Sequence, residues 1–250
     1  MNKVATVSIS FWIIKICATT LGETAGDLLS MTMNVGYGIS SLILISLFLL
    51  TLIAQLRTKQ FHPALYWTVI LTTSIAGTTM SDFMDRTLAL GYATGSLLLI
   101  TLLLIVLGIW WYSQRSLSVS HIQTTKAELF YWIAILLSNT LGTALGDFLA
   151  DDSGLCFFGG ALLIAALLAT TALAFYSSRV SHVLLFWIAF VLTRPFGATF
   201  GDLLTKRAAN GGLGFGTIGS SAVLASIVII LVGWQSSRTS KTGEAPQNTG

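Results

Sequence analysis

Apolar residues fall into eight runs separated by short polar breaks, and the runs come in pairs. The first run of each pair carries an aromatic–Trp dipeptide: Phe11-Trp12, Tyr66-Trp67, Tyr131-Trp132 and Phe186-Trp187. The second runs cover 36–56, 91–113, 157–177 and about 216–235. Each approaches the ~20 apolar residues a helix needs to cross a bilayer, which is too long for a barrel strand. The pattern predicts an all-α, polytopic membrane protein with eight transmembrane helices.

The pairs are copies of one unit. The tryptophans recur at spacings of 55, 65 and 55 residues. Ten residues beyond each Trp stands a glycine (Gly22, Gly77, Gly142, Gly197), and fifteen beyond stands an aspartate (Asp27, Asp82, Asp147, Asp202). The segments read GETAGD, GTTMSD, GTALGD and GATFGD. An in-register match of this kind marks internal repeats. A shift of 120 residues relates the first copy to the third and the second to the fourth. The expected organisation is a first half over 1–115, a second half over 116–238, and a disordered cytoplasmic tail over 239–250. With two spans per copy, every copy enters the membrane in the same direction, so the repeats are parallel rather than inverted.

The repeated Trp, Gly and Asp pattern resembles a family of bacterial membrane proteins built from four tandem copies of a repeat of unknown function. The family repeat has two transmembrane segments and a characteristic tryptophan, and the resemblance covers about residues 5–235. It implies a bacterial inner-membrane location and supplies no reaction or substrate.

Composition narrows the class. Charged residues make up 9% of the chain and mean hydropathy is +0.81, against roughly 25% charge in a soluble domain. A water-soluble globular enzyme and a disordered chain are both excluded. Two cysteines, Cys17 and Cys156, imply no disulfide framework, and a net charge of +3 gives no reason to expect a nucleic-acid partner. Lys3, Arg57, Lys59, Arg115, Lys126, Arg179, Arg238 and Lys241 fall on one side of the predicted spans. Arg86, Lys206 and Arg207 fall on the other, in outer loops. The excess of basic residues puts both termini in the cytoplasm. Lys15, Glu23 and Asp27 interrupt the first run, which argues against a cleaved signal peptide.

A polar stripe supplies the candidate chemistry. Steps of four residues keep to one helix face. Starting three residues beyond each Trp, they read Lys15, Thr19, Glu23, Asp27; Ile70, Ser74, Thr78, Asp82; Ile135, Asn139, Thr143, Asp147; and Phe190, Arg194, Ala198, Asp202. At ~1.5 Å per residue, the Gly lies ~15 Å and the Asp ~22 Å beyond the Trp. If Trp12, Trp67, Trp132 and Trp187 are interface anchors, the carboxylates sit at membrane depth, where charge is costly and usually functional. Five acids and two bases (Lys15 and Arg194, candidate counter-ions or gates) leave a formal charge of −3 on the stripe. Such a deficit calls for protonation or a bound cation.

The ligand set is hard oxygen: Glu23, Asp27, Asp82, Asp147 and Asp202, with Thr19, Thr78, Asn139 and Thr143. It suits a divalent ion such as Mn²⁺, Mg²⁺ or Ca²⁺, or a proton, with Glu23, Asp27 and Asp147 as the leading metal ligands. Glu23-Thr24-Ala25-Gly26-Asp27 is loosely similar to the Glu-x-Gly-Asp segments of some manganese/calcium exchangers, with one residue more between the acids. His62, His121 and His182 fall in predicted cytoplasmic loops, away from the stripe.

A structural alternative is that the glycines serve helix packing and the aspartates cap loops. No HExxH, GxSxG or Walker motif is present, so no enzyme and no resident cofactor are expected beyond a bound cation. The expected partners are the lipid bilayer and an inorganic cation or proton. The leading expectation is a cation transporter, with a passive channel or a non-transport scaffold or sensor as alternatives.

Overall fold

The structure, a computed structural model, describes residues 4–119, 122, 124–177 and 179–243. Among them run eight long helices and no strand: α1 (Ile9–Asp27), α2 (Tyr37–Arg57), α3 (Pro63–Asp82), α4 (Tyr92–Gln114), α5 (Thr125–Asp147), α6 (Cys156–Ser177), α7 (His182–Thr205) and α8 (Thr217–Gly243). Local sequence sets their starts. The Ser8 hydroxyl accepts from the Phe11 N–H at 3.3 Å, Thr124 does the same for Ala127 at 3.1 Å, and Pro63 opens α3. α8 continues to Gly243, past the predicted start of a tail at 239. Lys3, His121 and residues 244–250 lie outside the described residues.

The odd-numbered helices form a closed inner ring, α1–α3–α5–α7–α1. Glycines set its spacing. A Cβ added to Gly22 would lie 2.5 Å from the Ser74 Cβ, and one on Gly77 would lie 3.0 Å from Asn139. One on Gly142 would strike the Arg194 side chain, and one on Gly197 would meet Thr19 at 2.7 Å. Each glycine therefore faces the residue seven beyond the Trp on the next helix, all the way round. One turn further along, Gly26 faces Thr78, Gly146 faces Ala198 and Gly201 faces Glu23. Because both partners advance together, the ring helices are parallel, as the repeat arithmetic predicts.

Each even helix packs on the ring helix of the following unit: α2 on α3, α4 on α5, α6 on α7 and α8 on α1. The two sequence halves are consequently not separate bodies. Each lends its last helix to the other, and α8 on α1 closes the circle.

Six helices (α2, α4, α5 with its extension, α6, α7 and α8) are long and apolar enough to cross a membrane. The expectation of eight is met for number of helices but not for apolarity. α1 carries Lys15, Glu23 and Asp27, and α3 carries Thr72, Thr73, Ser74, Thr78 and Thr79, all buried in the ring. A ring helix covered by neighbours needs less apolar surface than one facing lipid. The outer helices expose Leu42, Leu50, Leu97, Leu104, Leu162 and Ile229, a surface that only an apolar solvent tolerates. The chain is a multi-pass membrane protein.

Gly22→Ala should lower the unfolding temperature of the detergent-purified protein, at a cost of about 1–3 kcal/mol for overpacking. Gly108→Ala, where nothing lies within 4 Å, should not. Equal unfolding temperatures for the two variants would remove the glycine contacts as the ring's spacing element.

Candidate functional site

Ring closure turns the four stripes inward and stacks them in layers. The first layer is aromatic. Trp67, Trp132 and Trp187 are buried, and Trp12 packs edge-on to Phe11 at 5.2 Å. The Tyr66 and Tyr131 hydroxyls are 2.6 Å apart. Trp67 Nε1 donates to Gln235 Oε1 at 2.7 Å, and Trp187 Nε1 donates to the Leu117 carbonyl at 3.1 Å. These tryptophans were expected as lipid-interface anchors. Three of them instead pack inside the end of the bundle, where Trp67 meets Phe11, Trp132 meets Tyr66 and Trp187 meets Trp110, each on a neighbouring helix.

The next layer holds Lys15, Ile70, Ile135 and Phe190, all fully buried. Lys15 Nζ lies 4.0 Å from the centre of the Phe190 ring and makes no hydrogen bond within the described residues. It does not reach the membrane surface.

Arg194 closes the third layer. Its Nη1 donates to the Thr19 carbonyl at 2.8 Å, its Nη2 to the Ser74 carbonyl at 3.1 Å, and its Nε to the Asn139 carbonyl at 3.2 Å. Those three carbonyls come from the position equivalent to Arg194 on the other three ring helices. Nη2 also reaches the Thr78 hydroxyl, the Thr143 hydroxyl at 2.8 Å and Glu23 Oε2 at 3.3 Å. The guanidinium, 0% exposed, is thereby bonded to all three other ring helices and fills the axis. Pro195 follows it inside α7 without breaking the helix.

Glu23 defines the fourth layer with Thr78 and Thr143, whose hydroxyls donate to its Oε2 at 3.2 and 3.1 Å. Asn139 lies one layer away, and its amide donates to Thr73 at 3.0 Å.

The four aspartates form the fifth layer, each at most 4% exposed. Two bases bridge them. Arg86 pairs with Asp82 at 2.9 Å and Asp147 at 3.1 Å, while Lys206 pairs with Asp27 at 2.8 Å and Asp202 at 3.1 Å. Burial works against the Lys206 charge, but Asp202 and Asp27 outweigh it and raise its pKa above the ordinary lysine value. α1, α3 and α5 each pass directly into one π-helical turn after the aspartate: Leu28–Thr32, Phe83–Thr87 and Phe148–Asp152. The widened turn carries Arg86 back over the ring.

Arg86 and Lys206 were expected in outer loops, apart from the stripe, and this is the main correction to the site. Including them moves the axial balance from −3 to −1. They stand nineteen residues beyond Trp67 and Trp187, one further step of four along the stripe. That step is the sequence signal that reveals them. Asp85, beside Arg86, is 5% exposed and accepts from Ser81 at 3.2 Å.

One carboxylate oxygen from each of Glu23, Asp147 and Asp202 lies within 4.8 Å of the others. A cation bound among them would bridge the fourth and fifth layers. The expected metal set was Glu23, Asp27 and Asp147. The structure groups Asp202 in place of Asp27.

Arg86→Gln should destabilise the protein, because it leaves Asp82 and Asp147 buried without their cation. Asp147→Asn should cost less in the Arg86→Gln background than in the natural chain. A coupling of about 0.5–3 kcal/mol is expected from thermal unfolding of the four proteins. Additive effects would show that the pair is not energetically linked.

The sequence family described as Repeat of Unknown Function (DUF347) matches residues 10–61, 65–116, 130–181 and 185–241. Each matched stretch spans one ring helix and the outer helix after it. No curated protein and no solved structure matches the chain. With four matched copies over most of its length, the chain belongs to this repeat family.

Proposed function

We propose that the protein is a transporter for an inorganic cation, coupled to protons, with Glu23, Asp147 and Asp202 as the central binding residues. The observation that carries this reading is their convergence within 4.8 Å on the axis of a parallel ring. The donors are carboxylates and hydroxyls, so the cargo is a hard cation, with Mn²⁺, Mg²⁺ and Ca²⁺ as the candidates. Carboxylates at this depth also take up protons, which gives the coupling.

All eight helices cross the bilayer in this reading, α1 and α3 inside the bundle. Both termini lie in the cytoplasm of a bacterial inner membrane, following the distribution of basic residues. Arg194 is a fixed counter-ion to Glu23 and plugs the axis. That plug favours a carrier over a passive channel, since a buried guanidinium bonded to the other three ring helices occupies the axis. No catalytic residue is assigned.

The protein reconstituted in liposomes should take up at least one of Mn²⁺, Mg²⁺ and Ca²⁺ saturably, with counter-movement of protons read by an internal pH dye. Glu23→Gln and Asp147→Asn should each reduce the flux by about tenfold or more, equivalent to ~1.4 kcal/mol. Absence of flux for all three ions, or flux indifferent to both substitutions, would sink the proposal.

A further inference from the structure

Arg86 and Lys206 are related by the 120-residue shift that relates the two halves. Each pairs with the aspartate four residues before it and with the aspartate of the next unit. The next unit always belongs to the other half: Arg86 on α3's extension reaches Asp147 on α5, and Lys206 after α7 reaches Asp27 on α1. The corresponding residues of the other two units are Met31 and Asp151, neither a base. The ring is fourfold in backbone, but its outer closure is twofold and straddles both seams between the halves.

The base heads are also held in place. Arg86 Nη1 donates to the Tyr37 hydroxyl at 3.3 Å, and its guanidinium lies 5.9 and 5.7 Å from the Tyr37 and Tyr92 ring centres. Lys206 Nζ lies 4.0 Å from Met31 Sδ. The Arg86 and Lys206 side chains remain 30% and 24% exposed, while the aspartate side chains beneath them are only 2–5% exposed. The bases therefore form the last covering between those carboxylates and the outside.

We infer that Arg86 and Lys206 are paired gate residues: each ties one half to the other across the outer end of the ring, and together they seal the axial carboxylates from the outer face. A cation reaches Glu23, Asp147 and Asp202 from that side only when the two heads leave their aspartates. The inference rests on the transport reading for its purpose, but not for its test.

The test reads accessibility instead of flux. Ala198, fully buried in the layer below the aspartates, is changed to Cys in a Cys17→Ser, Cys156→Ser background. A membrane-impermeant cationic thiosulfonate is then applied to either face of oriented vesicles. With both bases present, labelling should be slow from the outer face. Adding Arg86→Gln and Lys206→Gln should accelerate outer-face labelling by about tenfold or more, leaving inner-face labelling unchanged. Arg86→Lys with Lys206→Arg, which keeps both cations, should return the slow rate.

Unchanged outer-face labelling in the Gln pair overturns the gate. So does acceleration from both faces, which marks a loosened bundle. Thr143→Cys, in the same layer and close in size, replaces Ala198→Cys if that variant does not fold. Gated labelling without flux of any ion would reject the transport reading and keep the gate. Flux with ungated labelling would do the reverse.

Discussion

Everything in this protein depends on how closely four parallel helices approach one another. In lipid, apolar side chains gain nothing by leaving one hydrocarbon surface for another, so small residues that admit a neighbouring backbone supply the packing. Gly22, Gly77, Gly142 and Gly197 do this around the ring. The approach has an electrostatic consequence. Only at this spacing do the carbonyls of Thr19, Ser74 and Asn139 come within hydrogen-bond reach of one guanidinium. Arginine has five N–H donors and no way to lose its charge in a protein. A wider ring would leave Arg194 buried and unsatisfied, at a cost of several kcal/mol. Packing and charge satisfaction are thus one constraint.

The frame is fourfold and the chemistry is not. Trp, Gly and Asp recur in every copy because each copy must plug the same end, pack on the same neighbour and present the same carboxylate. The remaining stripe positions have diverged. One copy supplies Glu23, one supplies Arg194, and two supply the outer bases. The axis is closed three times over: by aromatics around Tyr66 and Tyr131, by Arg194, and by the Arg86 and Lys206 bridges. Between the second and third closures lie the carboxylates of Glu23, Asp147 and Asp202.

Much of this was legible before any coordinates. The repeat, its parallel sense and the inward stripe follow from a Trp-to-Asp register that survives in all four copies. Charge balance along the stripe pointed to missing cations, and two of them turned out to be the protein's own. Arg86 and Lys206 were placed in outer loops because the Trp, Gly and Asp register shared by all four copies stops at the aspartate. The π-helical turns and the end of α7 instead carry the chain one step further. The tryptophans were misread for a different reason. Periodicity places a residue along a helix, whereas packing against the neighbouring ring and outer helices, a tertiary property, decides whether it meets lipid or another aromatic. Nor does periodicity reveal that each outer helix packs on the next unit, since either partner offers the same apolar face.

That exchange of outer helices limits how the axis can open. A rigid-body swing of residues 1–115 against 116–238 would strip α4 from α5 and α8 from α1, and would part α3 from α5 and α7 from α1, the contacts that close the ring. Each is a full helix–helix interface, and separating one exposes leucine-rich surface only to lipid while breaking the ring's close packing. Movement at the ring's ends costs less. The π-helical turns, the loops after them and the partly exposed base heads are joined to the core by a few ion pairs and hydrogen bonds. An opening confined to those elements leaves the glycine contacts and the Arg194 network intact. The fold therefore separates a stiff middle, set by glycine and closed by the Arg194 guanidinium, from two ends that polar and aromatic side chains keep shut.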